Sequence, residues 1–152
     1  MSRDTVRKPR ILFVCAGNTC RSPMAEGFAR KTLNDLANYG SAGIASLPDE
    51  NASEEAIDVM RSKFGIDISS HRSRNVRDLA LDDFDLIIAM DSSVAQELAR
   101  RFPTTRRKLI SWSINDPKYR GYGAYGRCAE EIQKKVRNLP SILGNRSRSV
   151  EP

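Results

Sequence analysis

The fold is decided by the stretch Ile11-Leu12-Phe13-Val14-Cys15-Ala16-Gly17-Asn18-Thr19-Cys20-Arg21-Ser22-Pro23-Met24-Ala25-Glu26. Its first residues are apolar and partly β-branched, which predicts a buried strand that ends near Cys15. Gly17 and Asn18 then supply the backbone freedom that a tight anion-binding loop requires. Ser22-Pro23 predicts a helix start, with Ser22 as the N-cap and the proline in the first turn. The stretch therefore predicts a strand, an anion-sized loop and a helix whose N-terminus faces that loop.

The loop combines a nucleophile with a cationic grip. Backbone N–H groups, the positive end of the helix dipole and the Arg21 guanidinium converge on one point that suits a dianionic phosphate. The same positive groups favour the reactive thiolate form of Cys15, and Ser22 can donate its hydroxyl to the sulfur. Five residues separate Cys15 from Arg21, enough to carry the chain around the anion and return the guanidinium. The alternative, an ordinary α/β loop with a buried cysteine, leaves Arg21 unexplained.

The pattern Val14-Cys15-x-Gly17-Asn18-x-Cys20-Arg21-Ser22-Pro23-x-Ala25-Glu26 resembles the phosphate loop of the low-molecular-weight protein tyrosine phosphatases. The resemblance extends from Ile11 to about Leu139. It implies a cysteine-dependent phosphatase that hydrolyses phosphotyrosine through a phosphocysteine intermediate and needs no metal ion or other cofactor. The phosphate-binding residues that it implies are Ala16, Gly17, Asn18, Thr19, Cys20, Arg21 and Ser22.

The second chemical requirement is an acid. A thiolate that attacks a phosphomonoester expels an alkoxide, so a nearby group must protonate the leaving oxygen and later deprotonate the attacking water. Asp116-Pro117 follows the fourth predicted strand at the same sheet edge and resembles the acid loop of the family. His71 and several carboxylates other than Asp116 compete for this role. We predict that the catalytic residues are Cys15, Arg21 and Asp116.

Several other residues match family positions that support the loop. Asn18, Ser41 and His71 match positions whose side chains hold the loop in shape through hydrogen bonds. Asp91, at the end of the third predicted strand, matches a position that orders neighbouring loops. Cys20 matches the second loop cysteine, which can form a reversible disulfide with an oxidised Cys15.

The residues around the predicted cleft depart from the family pattern. Many members carry an aromatic residue at the position of Leu47 and another directly after Asp-Pro, where this chain has Lys118. Tyr119 and the nearby Tyr122 and Tyr125 can line the substrate cleft instead. Phosphotyrosine is therefore the first predicted substrate.

Two related activities remain as alternatives. Thr19 also occurs in the bacterial protein arginine phosphatases of this fold, where it favours phosphoarginine. Thiol-dependent arsenate reductases share the fold and the loop, but they need a relay of further cysteines, and none lies between Cys20 and Cys128. Cys128 is expected in the core, on the apolar face of a helix. A catalytically silent anion-binding module would have lost the nucleophile or the acid, and both are present.

Length and composition predict one small domain. The 152 residues divide into a flexible N-terminus over 1–9, a phosphatase domain over 10–143 and a disordered tail over 144–152. The net charge of +6 favours anionic partners, here a phosphorylated protein substrate and inorganic phosphate or other oxyanions in the loop. The basic runs carry no interleaved aromatic residues, which argues against nucleic acid as a partner. Three cysteines without zinc or disulfide spacing, no membrane-length apolar run and no signal core predict a cytoplasmic location. A monomer is the default expectation.

The alternation of strands and helices predicts an α/β fold, a three-layer sandwich with a four-stranded parallel sheet flanked by helices. The loops at the carboxyl ends of the strands then share one edge of the sheet, where ligands bind in such folds. The strand order 2-1-3-4 comes from the resemblance alone. The first strand is predicted over Arg10 to Val14 and the final helix over about Tyr125 to Leu139. Gly27 is expected to mark a close approach of the first helix to the sheet.

Overall fold

Four parallel strands form the centre of the molecule. The computed structural model describes residues 7–150, and its sheet has the order β2-β1-β3-β4 with every pairing parallel. This confirms the predicted fold class and strand order. The strands are β1 (Arg10–Cys15), β2 (Asn38–Gly43), β3 (Leu86–Ala89) and β4 (Leu109–Ser111).

Helices connect and cover the strands. Ser53 caps the second helix by accepting a hydrogen bond from the Ala56 N–H at 3.3 Å, and Gly65, at φ 65°, ends it. Pro103, two residues beyond the third helix, opens the last of three short 3₁₀ segments. The helices are α1 (Arg21–Thr32), α2 (Glu54–Phe64), α3 (Ser92–Arg101), α4 (Gly121–Arg137) and α5 (Leu139–Val150), and the 3₁₀ segments are Val76–Asp78, Leu81–Asp83 and Pro103–Lys108.

The sheet separates two hydrophobic cores. Ile11 and Phe13 of β1 point to the side covered by α1, α2, α4 and α5. Leu12 and Val14 point to the opposite side, which is covered by α3 and the first two 3₁₀ segments. Because all four side chains are fully buried, β1 is covered on both faces, as a central parallel strand requires. The three layers are therefore helices, sheet and helices.

The start of α1 differs from the prediction. The helix begins at Arg21, Cys20 occupies the N-cap position, and no side chain caps the helix. Ser22 is not the N-cap, because its hydroxyl lies 2.9 Å from the Cys15 sulfur instead. The close approach at Gly27 is also of another kind. A Cβ there would lie 2.8 Å from Cγ2 of Ile68, so the close approach at Gly27 is to the segment after α2 and not to the sheet.

The C-terminal region is more helical than the sequence predicts. Helix α4 begins at Gly121, and α5 continues through Val150, where a disordered tail from residue 144 is predicted. Ile142 and Leu143 pack against the core, and Arg146 Nη2 donates to the Arg107 carbonyl at 2.6 Å, which ties the helix down. Within residues 7–150, no helix is both long and apolar enough to cross a bilayer. Residues 1–6 of the predicted flexible N-terminus and residues 151–152 lie outside the described part.

Candidate active site

The carboxyl ends of β1, β3 and β4 bring three chain segments together. Cys15 ends β1, Asp91 follows β3, and the chain after β4 leads to Asp116. The Ile114 N–H donates to the Met90 carbonyl at 2.9 Å, so the segment after β4 stays beside the segment after β3. A cysteine thiol, a guanidinium and a carboxylate are thereby placed at one sheet edge, as the topology predicts.

The sulfur of Cys15 lies at the bottom of this edge. The residue is 2 % exposed, and its Sγ is 3.2 Å from the backbone N–H of Asn18 and 2.9 Å from Oγ of Ser22. Both groups can donate a hydrogen bond to an anionic sulfur. Such donors favour the thiolate, the nucleophilic form of cysteine.

Asn18 holds the loop in shape. It adopts φ 57°, a left-handed conformation that asparagine tolerates better than most residues, and it is fully buried. Its Nδ2 donates to Ser22 Oγ at 2.8 Å and to Ser41 Oγ at 3.0 Å, and its Oδ1 accepts from the Arg74 N–H at 2.9 Å. Its carbonyl lies 2.7 Å from Nε2 of His71. The three predicted supporting residues therefore form one hydrogen-bonded group.

A neighbouring strand presses closely on the loop. A Cβ at Gly43 would lie 2.6 Å from the Ala16 carbonyl and 3.0 Å from the Asn18 nitrogen, so only glycine fits there. Thr19 accepts a hydrogen bond at its carbonyl from the Ser53 N–H at 2.8 Å, which joins the loop to the start of α2. Within the loop, Ala16 and Thr19 are partly exposed. The loop is thus held by β2 and the start of α2 on one side and is partly exposed to solvent on the other.

Arg21 reaches across the edge from α1. Its Nη1 donates to Asp91 Oδ2 and to the Ile114 carbonyl, both at 2.8 Å, and its Nη2 lies 3.9 Å from Asp116 Oδ2. Its Nε is buried and has no hydrogen-bond partner among the described residues. A buried, unsatisfied guanidinium N–H beside the loop is a free donor for an anion.

The Arg21–Asp91 pair shows its coupling in both pKa values. Burial opposes the charge on Arg21, but the hydrogen bond to Asp91 and the nearby Cys15 and Asp116 outweigh it and raise the pKa of Arg21. Burial would likewise raise the pKa of Asp91, but the hydrogen bonds from Arg21 and from the Val94 N–H lower it. The guanidinium therefore stays charged and fixed in place.

Asp116 is the most exposed of the three predicted catalytic residues. Its side chain is 46 % exposed, and Oδ1 accepts from the Lys118 N–H at 3.1 Å. Cys20 Sγ lies 3.8 Å from the same oxygen, at the long end of hydrogen-bond distances to sulfur. The carboxylate therefore stays accessible to solvent.

Cys20 and Cys128 are buried thiols. Burial is the main cause that raises the pKa of Cys20, with the charges of Cys15 and Asp116 acting in the same direction. Burial also raises the pKa of Cys128 to about 12, and its Sγ lies 3.7 Å from the Asn115 carbonyl. Both side chains are therefore protonated at neutral pH, unlike a nucleophilic cysteine.

The predicted cleft residues are exposed around the loop. Leu47 is 65 % exposed and Tyr119 is 91 % exposed, with the Lys118 ammonium 5.2 Å from the centre of the Tyr119 ring. Tyr122 donates its hydroxyl to Asp58 Oδ2 at 3.0 Å. Tyr125, which the sequence places near the cleft, is buried and does not line it. Tyr119 is thus the most exposed of these three tyrosines.

Sequence reasoning named Asp91 as a residue that orders neighbouring loops but missed three specific interactions at this site. The ion pair from Asp91 to Arg21, the close approach at Gly43 and the backbone N–H of Arg74 all act across long sequence separations. Only Asp91 has a sequence signal, because a carboxylate directly after a buried strand lies at the binding edge. In residues 7–150, no three His, Cys, Asp or Glu side chains are grouped so that they could hold a metal ion.

The geometry agrees with the match to a family model. Residues 10–149 match the family described as low molecular weight phosphotyrosine protein phosphatase. The chain belongs to this family. Its members are cysteine-dependent phosphatases that hydrolyse phosphomonoesters, so the nucleophilic loop and the fold have a common explanation.

Two curated relatives carry different names. The chain is 36 % identical over 132 residues to the probable low molecular weight protein-tyrosine-phosphatase EpsP of Ralstonia nicotianae, covering 83 % of this chain and 90 % of EpsP. It is 34 % identical over 134 residues to an arsenate reductase of Staphylococcus aureus, covering 88 % and 98 % of the two chains. The family relationship is therefore clear, while similarity alone does not separate the two activities.

Solved structures add a third activity. The YwlE arginine phosphatase from Geobacillus stearothermophilus matches with a TM-score of 0.84 and 28 % identity, covering 95 % of this chain and 98 % of YwlE. The tyrosine phosphatase Wzb from Escherichia coli K30, solved in complex with sulphate, matches with a TM-score of 0.83 and 28 % identity, covering 90 % and 99 %. The fold therefore binds an oxyanion in at least one relative.

Proposed function

We propose that this protein hydrolyses phosphotyrosine in phosphorylated proteins through a phosphocysteine intermediate. The observation that carries the proposal is the unpaired, buried Nε of Arg21 at the edge that also holds the Cys15 sulfur and the Asp116 carboxylate. An anion between them would satisfy the guanidinium and lie against the nucleophile. The related Wzb was solved in complex with sulphate, which supports an oxyanion ligand.

In the first step, the Cys15 thiolate attacks phosphorus while the N–H groups of the loop and Arg21 hold the phosphoryl oxygens. An S–P bond forms, the P–O bond to the phenol breaks, and Asp116 gives its proton to the leaving oxygen. The charge that spreads over the equatorial oxygens is met by fixed donors, which need no rearrangement during the reaction.

In the second step, water attacks the phosphocysteine. Asp116, now a carboxylate, takes a proton from the water, the S–P bond breaks, and inorganic phosphate and the Cys15 thiolate are released. The hydroxyl of Ser22 and the N–H of Asn18 stabilise the sulfur as a leaving group, since both lie within hydrogen-bond distance of it.

The exposed ring of Tyr119 supports phosphotyrosine as the substrate. It stands beside the acid segment and offers a face on which a phenyl ring can stack, in place of the aromatic residues that Leu47 and Lys118 replace. Stacking between two rings contributes about 0.5–1.5 kcal/mol beyond the area that it buries. The preference for phosphotyrosine therefore depends on the ring of Tyr119.

The second candidate is phosphoarginine. The half-exposed Thr19 favours it, and the likeness to YwlE supports it. Arsenate reduction is weaker, because Cys128, which lies beyond the loop, is 4 % exposed with a pKa near 12 and is a poor relay nucleophile. Cys20 is proposed as the disulfide partner of an oxidised Cys15.

The protein is proposed to work as a monomer in the cytoplasm. Cys15, Arg21 and Asp116 all come from one chain, so the site needs no second subunit. A thiolate nucleophile and the neighbouring free cysteine also require a reducing compartment.

The test is turnover of a phosphotyrosine peptide beside a phosphoarginine peptide of the same sequence. Wild type and Cys15→Ser are assayed with a metal chelator and a reductant. We expect hydrolysis that prefers phosphotyrosine in the wild type and no hydrolysis in Cys15→Ser. A preference for phosphoarginine would transfer the assignment to the second candidate, and activity in Cys15→Ser would refute both.

A further inference from the structure

A separate cavity lies behind the phosphate loop. It has a volume of about 720 Å³ and is formed by α1 and the segment 65–74, with walls that include Arg30, Lys31, Ile66, Ile68, Arg72 and Arg74. We call it the α1 cavity. No residue of Cys15–Ser22 lines it, so it is distinct from the proposed catalytic site. Its volume lies within the range of small-molecule sites, roughly 300–1,000 Å³.

The two carboxylates of the α1 cavity are already engaged. Glu26 lies 2.6 Å from Arg30 and accepts from the Ser41 hydroxyl at 2.7 Å. Asp67 accepts from the Ser69 N–H at 2.8 Å and lies 3.9 Å from Arg61. Neither carboxylate pairs with the remaining cations of the cavity.

Within residues 7–150, three cations of the α1 cavity have no acidic partner. Arg72 donates to Oδ1 of Asn51, and Arg74 donates to the carbonyl of Ser41, both neutral acceptors. Lys31 makes no hydrogen bond or ion pair with any residue of the described part of the chain. Several uncompensated positive charges around one cavity favour a ligand with more than one negative charge.

One part of the wall of the α1 cavity is apolar. Pro23, Gly27, Ile66 and Ile68 contribute to it. A cavity with an apolar wall and a cationic rim suits an organic body that carries several carboxylates. A planar carboxylate also differs in shape from the tetrahedral oxyanion that the phosphate loop is built to hold.

The α1 cavity shares two walls with the support of the loop. His71 and Ser41 both line it, and they hold the carbonyl and the side-chain amide of Asn18 at 2.7 Å and 3.0 Å. Asn18 in turn donates its backbone N–H to the Cys15 sulfur. A ligand that shifts His71 or Ser41 therefore changes the surroundings of the nucleophile through one intervening residue.

We propose that the α1 cavity binds a small organic polycarboxylate, and that its occupation changes turnover at Cys15 through His71, Ser41 and Asn18. Binding is independent of the proposed function, whereas the effect on turnover rests on it. The two parts are therefore measured separately.

Binding is tested by titrating isotope-labelled wild type with benzene-1,2,4-tricarboxylate and recording backbone amide shifts. We expect saturable shifts at Gly27 and over residues 66–74, with a dissociation constant of about 1 mM or tighter. The uncharged trimethyl ester has the same ring and should cause no such shifts. Inorganic phosphate at saturation should not displace the probe.

A charge-reversed variant locates the binding site. Lys31→Glu combined with Arg72→Glu should weaken the probe about tenfold or more, because two attractive charges become repulsive. Arg106→Glu combined with Arg107→Glu makes the same change of charge at exposed positions that do not line the α1 cavity and should leave the affinity unchanged. Equal weakening in both variants would show non-specific attraction and overturn the proposal.

Coupling is tested with p-nitrophenyl phosphate as substrate. We expect kcat to change by about twofold or more at saturating probe, with no competition against substrate, and the effect to disappear in Lys31→Glu/Arg72→Glu. Competition with substrate, or no saturable shift at about 10 mM probe, would overturn the binding proposal. Binding at the α1 cavity without any change in kcat would overturn the coupling. A wild type without turnover before probe is added would refute the proposed function and leave the amide titration as the test of binding.

Discussion

Two segments lie at the same sheet edge but are held very differently. They are the loop over residues 15–22, proposed to bind phosphate, and the segment around Asp116, proposed to supply the acid. Asn18 and Ser22 of the loop are fully buried and share a network of short hydrogen bonds. Asp116 is 46 % exposed, and its firmest contact is the backbone N–H of its near neighbour Lys118. The loop is therefore preorganised by the fold, whereas the acid segment is free to adjust to a leaving group.

This contrast separates stability from chemistry. Changes within the loop should lower both activity and the free energy of unfolding, because the same hydrogen bonds serve both. Changes in the acid segment should lower activity alone, because little of the fold depends on it.

The largest expected effect is that of Arg21→Lys. Lysine cannot reproduce the fork that donates to Asp91 and Ile114 and still offer a donor to the substrate, so kcat/KM should fall by roughly a thousandfold or more. The measurement is steady-state hydrolysis of p-nitrophenyl phosphate. Arg77→Lys, an exposed position, is the matched control and should behave as wild type. A variant at position 21 within tenfold of wild type would contradict a bidentate grip by this residue.

Asp116→Asn should reduce kcat by about a hundredfold to ten-thousandfold for esters with poor leaving groups. The loss should be smaller for p-nitrophenol, which leaves without protonation. The free energy of unfolding should change by less than about 0.5 kcal/mol, as at other exposed positions. Asp78→Asn removes another exposed carboxylate, one with no contact to Arg21 or Cys20 among the described interactions, and serves as control. Equal losses for good and poor leaving groups would argue against Asp116 as the acid.

Asn18→Gly isolates the side chain of the loop residue. Glycine accepts φ 57°, so the backbone can stay while the bonds to Ser22, Ser41 and Arg74 are lost. We expect a loss of about 1–3 kcal/mol in the free energy of unfolding and a fall in kcat of about tenfold to a hundredfold. Urea denaturation and steady-state kinetics on the same sample measure both. Wild-type kcat in this variant would show that the hydrogen-bonded support is dispensable.

The smallest effect is a pH dependence of stability from His71, the one histidine of the chain. Burial lowers the pKa of His71, against the opposing influence of its hydrogen bond to the Asn18 carbonyl. Between the folded and the unfolded pKa, the unfolded chain binds more protons, so the contribution of His71 is present above about pH 6.5 and is lost as the pH falls. Urea denaturation at about pH 7.5 and pH 5.5 should show this loss, and His71→Gln should reduce it. Equal losses in wild type and His71→Gln would exclude His71 as the source.

The parts of the site that the sequence predicts are local. Cys15 and Arg21 are separated by one loop, so their convergence follows from the strand, the glycine and the helix start between them. The strand order came from the family resemblance, because crossover length does not determine which strands become neighbours. The ion-pair partner of Arg21 is Asp91, which follows β3, and no local sequence pattern shows that these two side chains meet.

The two misplaced helix ends have physical causes. Ser22 has the sequence of an N-cap, but its hydroxyl is engaged at the Cys15 sulfur, and the loop itself turns the chain into the helix. The last helix continues past Gly144 because contacts of Ile142 and Arg146 with the body of the protein support it. Tertiary contacts outweighed local propensity in both places.

The most direct test of the central claim is to trap the covalent intermediate. Asp116→Ala enzyme is mixed with ³²P-labelled p-nitrophenyl phosphate, denatured within one turnover and digested for peptide mapping. The intermediate should form because p-nitrophenol leaves without protonation, whereas loss of the base should slow its hydrolysis. We expect the label on the peptide that contains Cys15 and no label when Cys15→Ser is added to the variant. Label on another residue, or release of p-nitrophenol without any labelled enzyme, would contradict a phosphocysteine intermediate at Cys15.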